Sequence, residues 1–236
     1  MSKNYKLTFY SRIFLFLAAF TGVYLEIAKH GGFGMLLYYT VLSNLLVAIF
    51  TLYLLKVMSR LGENWQRPSL LRLKGGVTMS IMITCVIYHF LLAPIATNFY
   101  TLENFLCHYI VPLWFLADTL FFDKQGQYKI WDPIVWTILP LLYMIFALFN
   151  GLVLKLDIPN SKVSPFPYFF LNVNKGWDVV FKWCLIIFVA YMVAGFIFYF
   201  IKHPRLTSVS WRQGMICLRG ASYLSSSATF STTTSR

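Results

Sequence analysis

A hydroxyl and an imidazole are the two side chains in this sequence best placed to do chemistry together. Asn104 to Phe122, NFLCHYIVPLWFLADTLFF, is long enough to cross a bilayer as a helix, yet it carries His108 and Asp118. Ionisable groups are expensive in hydrocarbon, so a span holding two of them should face a protein interior or a wet cavity with its polar groups paired. Imidazole takes up a proton near neutral pH. Thr40, within the apolar stretch YYTVLSN, supplies a hydroxyl for it to act on, and Asn44 lies one turn further along the same face. A threonine hydroxyl attacks only when a base removes its proton, which makes Thr40 and His108 a candidate nucleophile and base. Asn44 would orient the pair or bond an oxyanion. His89 is the rival base, or a second polar wall of the same cavity.

Plainer readings stand beside these. A threonine in a membrane helix commonly bonds its own backbone, and a histidine can simply tie two helices together. His89 and His108, in consecutive spans, could also ligate a b-type haem. The sequence has no H-E-x-x-H, G-x-S-x-G or phosphate-cradling loop, so no metal and no cofactor is expected. Pro112 cannot donate a hydrogen bond to the carbonyl of His108, which leaves that carbonyl free and predicts a distorted helix at the site.

The elements that must hold these residues follow from composition. Of 236 residues 58% are hydrophobic and 12% charged, and long apolar runs recur along the chain. That is an all-α, polytopic six-helix transmembrane bundle. The spans are Thr8 to Ala28, Met35 to Leu55, Val77 to Thr97, Asn104 to Phe122, Ile134 to Leu154 and Val179 to Ile201. The first apolar run outlasts a signal peptide and no small-residue cleavage site follows, so it is expected to remain as a span. The net charge of +12 would suggest nucleic acid in a soluble protein, but here the basic residues flank spans, so no nucleic-acid partner is expected.

One side of the membrane receives Lys3, Lys6, Arg12, the second-loop residues Lys56, Arg60, Arg67, Arg72 and Lys74, then Lys124, Lys129 and five residues from Lys202 on. The other receives only Lys29, Lys155, Lys162, Lys175 and Lys182. The basic side should be cytoplasmic, with both termini inside and the protein multi-pass in the cell membrane. Cys85, Cys107, Cys184 and Cys217 lack metal or redox spacing and read as small packing residues.

With that orientation, Glu26, Thr40, Asn44, His89, His108 and Asn150 come from five spans to one outer level. They lie beneath the loop Lys155 to Asp178, whose prolines and aromatics suit a packed lid. Asp118 lies about 15 Å below His108 along its helix, where Arg12 is the expected partner. Residues 1–202 form the membrane domain. From His203 to Arg236 the chain is rich in Ser and Thr, has no acid, and is expected to be disordered.

Six spans, Thr40 at the outer start of the second (YYTVLSN), and His108 with Pro112 in the fourth (NFLCHYIVP) resemble the androgen-induced-protein-like membrane hydrolases, and more closely their bacterial six-span relatives. The resemblance covers residues 8 to 201 in architecture and two short motifs in letters. It implies Thr40 as nucleophile and His108 as base, cleaving a fatty acid ester. Here Ser43 is third after Thr40 and Asn44 fourth, whereas the animal members have their polar residue third. The expected function is therefore a membrane-embedded lipid-ester hydrolase, with membrane lipids and a lipid ester as partners. The alternative is a non-enzymatic protein that binds or transports a lipid or small solute. A purely structural subunit is the third option, and the oligomeric state stays open.

Overall fold

Backbone N–H and C=O groups in an apolar run have no water to bond, so they must pair along their own chain. The computed structural model describes residues 3–96 and 100–203, and in it all the long apolar runs are helical. Six helices are long and apolar enough to cross a membrane: α1 Asn4–His30, α2 Tyr39–Trp65, α3 Pro68–Ile95, α4 Leu102–Phe122, α5 Asp132–Leu154 and α6 Trp177–Lys202. No strand occurs among the described residues. Thr97, the expected end of the third span, lies outside them, as does the expected disordered tail beyond His203.

Three starts differ from the hydropathy reading by four residues or more, α1 beginning at Asn4 rather than Thr8. Met35 lies in a tight turn, Gly32–Leu37, and α2 begins at Tyr39. Gly31 and Gly32 have φ of 143° and 65°, and glycine enters that region without strain. Pro68 opens α3 in the first helical turn, where its missing N–H would have had no partner anyway. Arg72 and Lys74, read from sequence as loop charges, are therefore helical. Of the five basic residues assigned to the second loop, only Arg67 stands between helices.

Leu15 and Ala19 of α1, Val47 and Leu54 of α2, Ile81 of α3 and Phe115 of α4 close the central core. The last two helices join it from outside. Trp136 of α5 lies against Gly75 and Gly76 of α3, where any Cβ would collide with the indole, and packs with Tyr191 and Phe198 of α6. About half of α2 and α3 is buried inside the protein but only 22% of α5 and of α6. Their outward rows, including Leu142, Ile145, Phe181, Leu185 and Phe200, are exposed and apolar, as lipid contact requires.

At the end of the bundle where α2 ends and α3 begins, five ionisable side chains are buried together. Arg12 Nε lies 3.1 Å from both Asp118 oxygens and its Nη2 3.2 Å from Asp123. Arg12 is thus the partner expected for Asp118. Lys74 Nζ donates to Asp118 and, at 2.8 Å, to Asp123. The Arg12 guanidinium also lies over Trp65, 4.1 Å from the ring centroid, as a cation–π contact. Lys202 Nζ donates to the carbonyls of Thr119 and Asp123, the negative end of α4.

Removing one carboxylate from this cluster strands buried cations, which costs about 3–5 kcal/mol. Asp118→Asn should therefore lower the thermal unfolding midpoint in detergent sharply. Lys56→Ala, at an exposed position, should change stability by no more than about 0.5 kcal/mol. Equal effects of the two would show that the cluster does not hold the bundle together.

Candidate functional site

At the opposite end the helices depart from regular winding. The N–H of Val111 reaches the carbonyl of Leu106, five residues back, and Ala93 bonds Tyr88 and Lys155 bonds Asn150 in the same way. Each is a widened π turn, a feature that recurs at functional sites. The one in α4 spans Leu106–Ile110, holds His108 at its centre and ends just before Pro112. The distortion expected around that proline is this turn.

His108 is buried, with Nδ1 3.0 Å from the carbonyl oxygen of Asn104. A carbonyl can only accept, so Nδ1 carries the proton and Nε2 presents a lone pair. That lone pair faces the Thr40 hydroxyl, with Nε2 and Oγ1 3.3 Å apart. Tyr88 of α3 lies flat on the imidazole, ring centroids 3.7 Å apart and planes inclined by 23°, which fixes the ring plane.

Thr40 is the second residue of α2, where the first N–H groups of the helix have no partner within it. The Tyr168 hydroxyl, from the loop before α6, supplies one. It accepts from the Tyr39 N–H at 3.1 Å. Burial pushes the Tyr168 phenol above its usual range, an effect that neighbouring groups, Tyr39 and Thr40 among them, partly offset. Tyr143 of α5 donates to the Leu37 carbonyl at 2.8 Å, and its ring is tilted by 58° to that of Tyr168, centroids 6.4 Å apart.

Asn44 has a different job from oxyanion binding. Its Nδ2 donates to the Thr40 carbonyl at 2.8 Å and to the Cys107 carbonyl at 3.0 Å. Both amide hydrogens are thus taken, and the side chain braces the first turn of α2 against the widened turn of α4. His89 is also not where the sequence reading placed it. It is exposed, its Nδ1 lies 3.3 Å from the Tyr109 hydroxyl, and it does not line the cavity around His108. One helical step separates Tyr88, which faces in, from His89, which faces out. The paired-histidine haem geometry fails with it. Asn150 donates to the carbonyls of Leu156 and Pro165 and so anchors the loop.

Two cavities meet at Thr40. An outer one of about 230 Å³ is lined by Glu26, His30, Tyr38, Asn104, His108 and Asn160 among others. A second, of about 110 Å³, runs between α3, α5 and α6 and is apolar, with Ile83, Leu141, Met144 and Ile187 in its walls. Thr40, Tyr88, Leu92 and Tyr168 line both. Neither Tyr88 nor Tyr168 was singled out from sequence. The chain has 15 tyrosines, and only their placement beside His108 and Thr40 distinguishes these two.

The hydrogen-bond directions are open to a direct check. Nitrogen-15 NMR of histidine-labelled protein should show neutral His108 protonated at Nδ1, the less common tautomer in water, whereas exposed His89 should average both forms. A proton found on Nε2 of His108 would remove the acceptor that Thr40 needs. No protein-family model, no curated protein and no solved structure matches this chain, so its own geometry carries the functional argument.

Proposed function

We propose that this protein is a membrane-embedded hydrolase of lipid esters, with Thr40 as nucleophile and His108 as general base. The observation that carries the reading is the hydrogen bond from the Thr40 hydroxyl to His108 Nε2, set in the wall between a polar and an apolar cavity. An ester spanning that wall would lay its acyl chain among Ile83, Leu141 and Met144 and its polar part in the outer cavity, presenting its carbonyl to Thr40. This is the pair that the family resemblance implies.

Thr40 Oγ attacks the carbonyl carbon while His108 Nε2 takes the hydroxyl proton. The Asn104 carbonyl, holding Nδ1–H, stabilises the imidazolium that forms. On collapse the alkoxide departs with the proton from Nε2, leaving an acyl-threonine. Water, deprotonated by the same nitrogen, then attacks this ester, and on collapse Thr40 Oγ leaves with the proton from Nε2, releasing the acid and restoring the pair. Tyr168, whose hydroxyl sits at the first turn of α2 next to Thr40, is the donor this reading assigns to the developing oxyanion. A well-aimed donor of this kind is worth about 3 kcal/mol.

The site end faces outward in this reading and both termini are cytoplasmic, because lysine and arginine gather at the opposite end. The cell membrane is the proposed location. The second reading, binding or transport without turnover, draws on the same pair of cavities.

A fluorophosphonate probe applied to detergent-solubilised protein separates the two. Wild type should be labelled, with the adduct on a Thr40 peptide, and Thr40→Ala and His108→Ala should each label at least about 100-fold more slowly. No labelling of wild type that elutes as a single folded species would favour binding or transport.

A further inference from the structure

Among the described residues the outer cavity holds one carboxyl group, that of Glu26, with no hydrogen bond or ion pair of its own. Glu103 is buried, and it holds Lys29 Nζ at 3.1 Å and His30 Nε2 at 3.0 Å. Glu26 lies one helical turn before His30 and lines the same cavity as Thr40 and His108. It is 9% exposed, and among the described residues it makes no hydrogen bond and no ion pair. Its electrostatic neighbours are His30 and Glu103, one already paired and the other of its own sign. A carboxyl withdrawn this far from water and aimed into a cavity keeps its charge only beside a cation, and otherwise takes up a proton.

The surroundings narrow what that partner is. No group of three or more His, Cys, Asp or Glu side chains capable of holding a metal exists among the described residues, so acidic and imidazole side chains do not converge here as in a tight divalent-metal site. Tyr38, Tyr88 and Tyr168 bring aromatic rings to the cavity. Carboxylate beside aromatic rings is the chemistry that receives a diffuse, weakly hydrated organic cation. An anionic headgroup would meet Glu26 unscreened.

We propose that the outer cavity binds the quaternary or primary ammonium group of an amphiphile, with Glu26 as its counter-charge and the cavity tyrosines around it. Joined to the hydrolase reading, on which the catalytic part rests, this makes the substrate an ester with a cationic polar part rather than one ending in a carboxylate. Cation binding itself requires no turnover.

The test uses the full chain in lipid nanodiscs, in a Thr40→Ala background so that no ester is consumed. Two probes are compared: decanoylcholine, and 3,3-dimethylbutyl decanoate, its uncharged counterpart of the same shape. Binding is read by titration against empty nanodiscs. The cationic ester should bind at least about tenfold more tightly than the neutral one. Glu26→Gln, which keeps size and hydrogen-bonding capacity, should remove that preference, and Glu26→Asp should retain part of it. Equal binding of the two probes, or a preference that survives Glu26→Gln in protein eluting as wild type, overturns the proposal. Wild type that hydrolyses neither ester while the preference holds would instead count against the hydrolase reading alone.

Discussion

Asp118 is a charge that hydrocarbon will not accept, and the bundle is arranged around satisfying it. Arg12 reaches it from α1, Lys74 from α3, and Arg12 in turn rests on Trp65 and Met58 of α2. One carboxylate therefore sets the axial register of four helices. Sliding α1 by a single residue would move Arg12 by about 1.5 Å and turn it by about 100°, out of reach of its acceptor. Packing of Leu and Phe side chains tolerates such slips far better than a buried fork of hydrogen bonds does. Registry is the best-attested use of buried ionic groups, and here it operates about 15 Å along α4 from His108.

How much of this was legible in the sequence depended on rarity. His108 and Asp118 stood out because ionisable residues are scarce in apolar runs, and Arg12 followed as the basic residue at the right depth. Lys74 did not, because hydropathy treats a basic residue beside a span as loop, although Pro68 was a visible start signal for α3. The Thr40 and His108 encounter could be named as a pair of types at matching depth, but not as a contact, since helix rotation decides it. His89 shows the cost of lacking that angle: one residue of rotation exchanged it for Tyr88. Asn44 was found on the right face, yet which of its bonds it makes depends on where the Cys107 carbonyl points.

The widened turns explain how a site can exist at this depth at all. A regular helix keeps its carbonyls for itself. At and just before the widened turn of α4, the Cys107 and Asn104 carbonyls accept from the side chains of Asn44 and His108. Irregular backbone survives in a membrane only where it is covered by protein or lines a cavity. The turns in α3, α4 and α5 all border the cavities or the loop that covers them, which is why the polar machinery could assemble there without exposing unpaired groups to lipid.

The shallow attachment of α5 and α6 has a consequence of its own. In water, peeling two such apolar helices from a core would expose hydrocarbon and be heavily opposed. In a bilayer the exposed surface is met by acyl tails, so separation sacrifices dispersion contacts and a few polar ties, Arg72 to Asp132, Tyr143 to the Leu37 carbonyl and Lys202 to the Asp123 carbonyl among them. The Arg12–Asp118 and Lys74–Asp118 pairs and the Asn44 brace lie within α1 to α4, whereas the Lys202 end of the cluster belongs to α6. The wall of the apolar cavity formed by α5 and α6 is thus the part of the bundle held least by its own chain and most by whatever surrounds it.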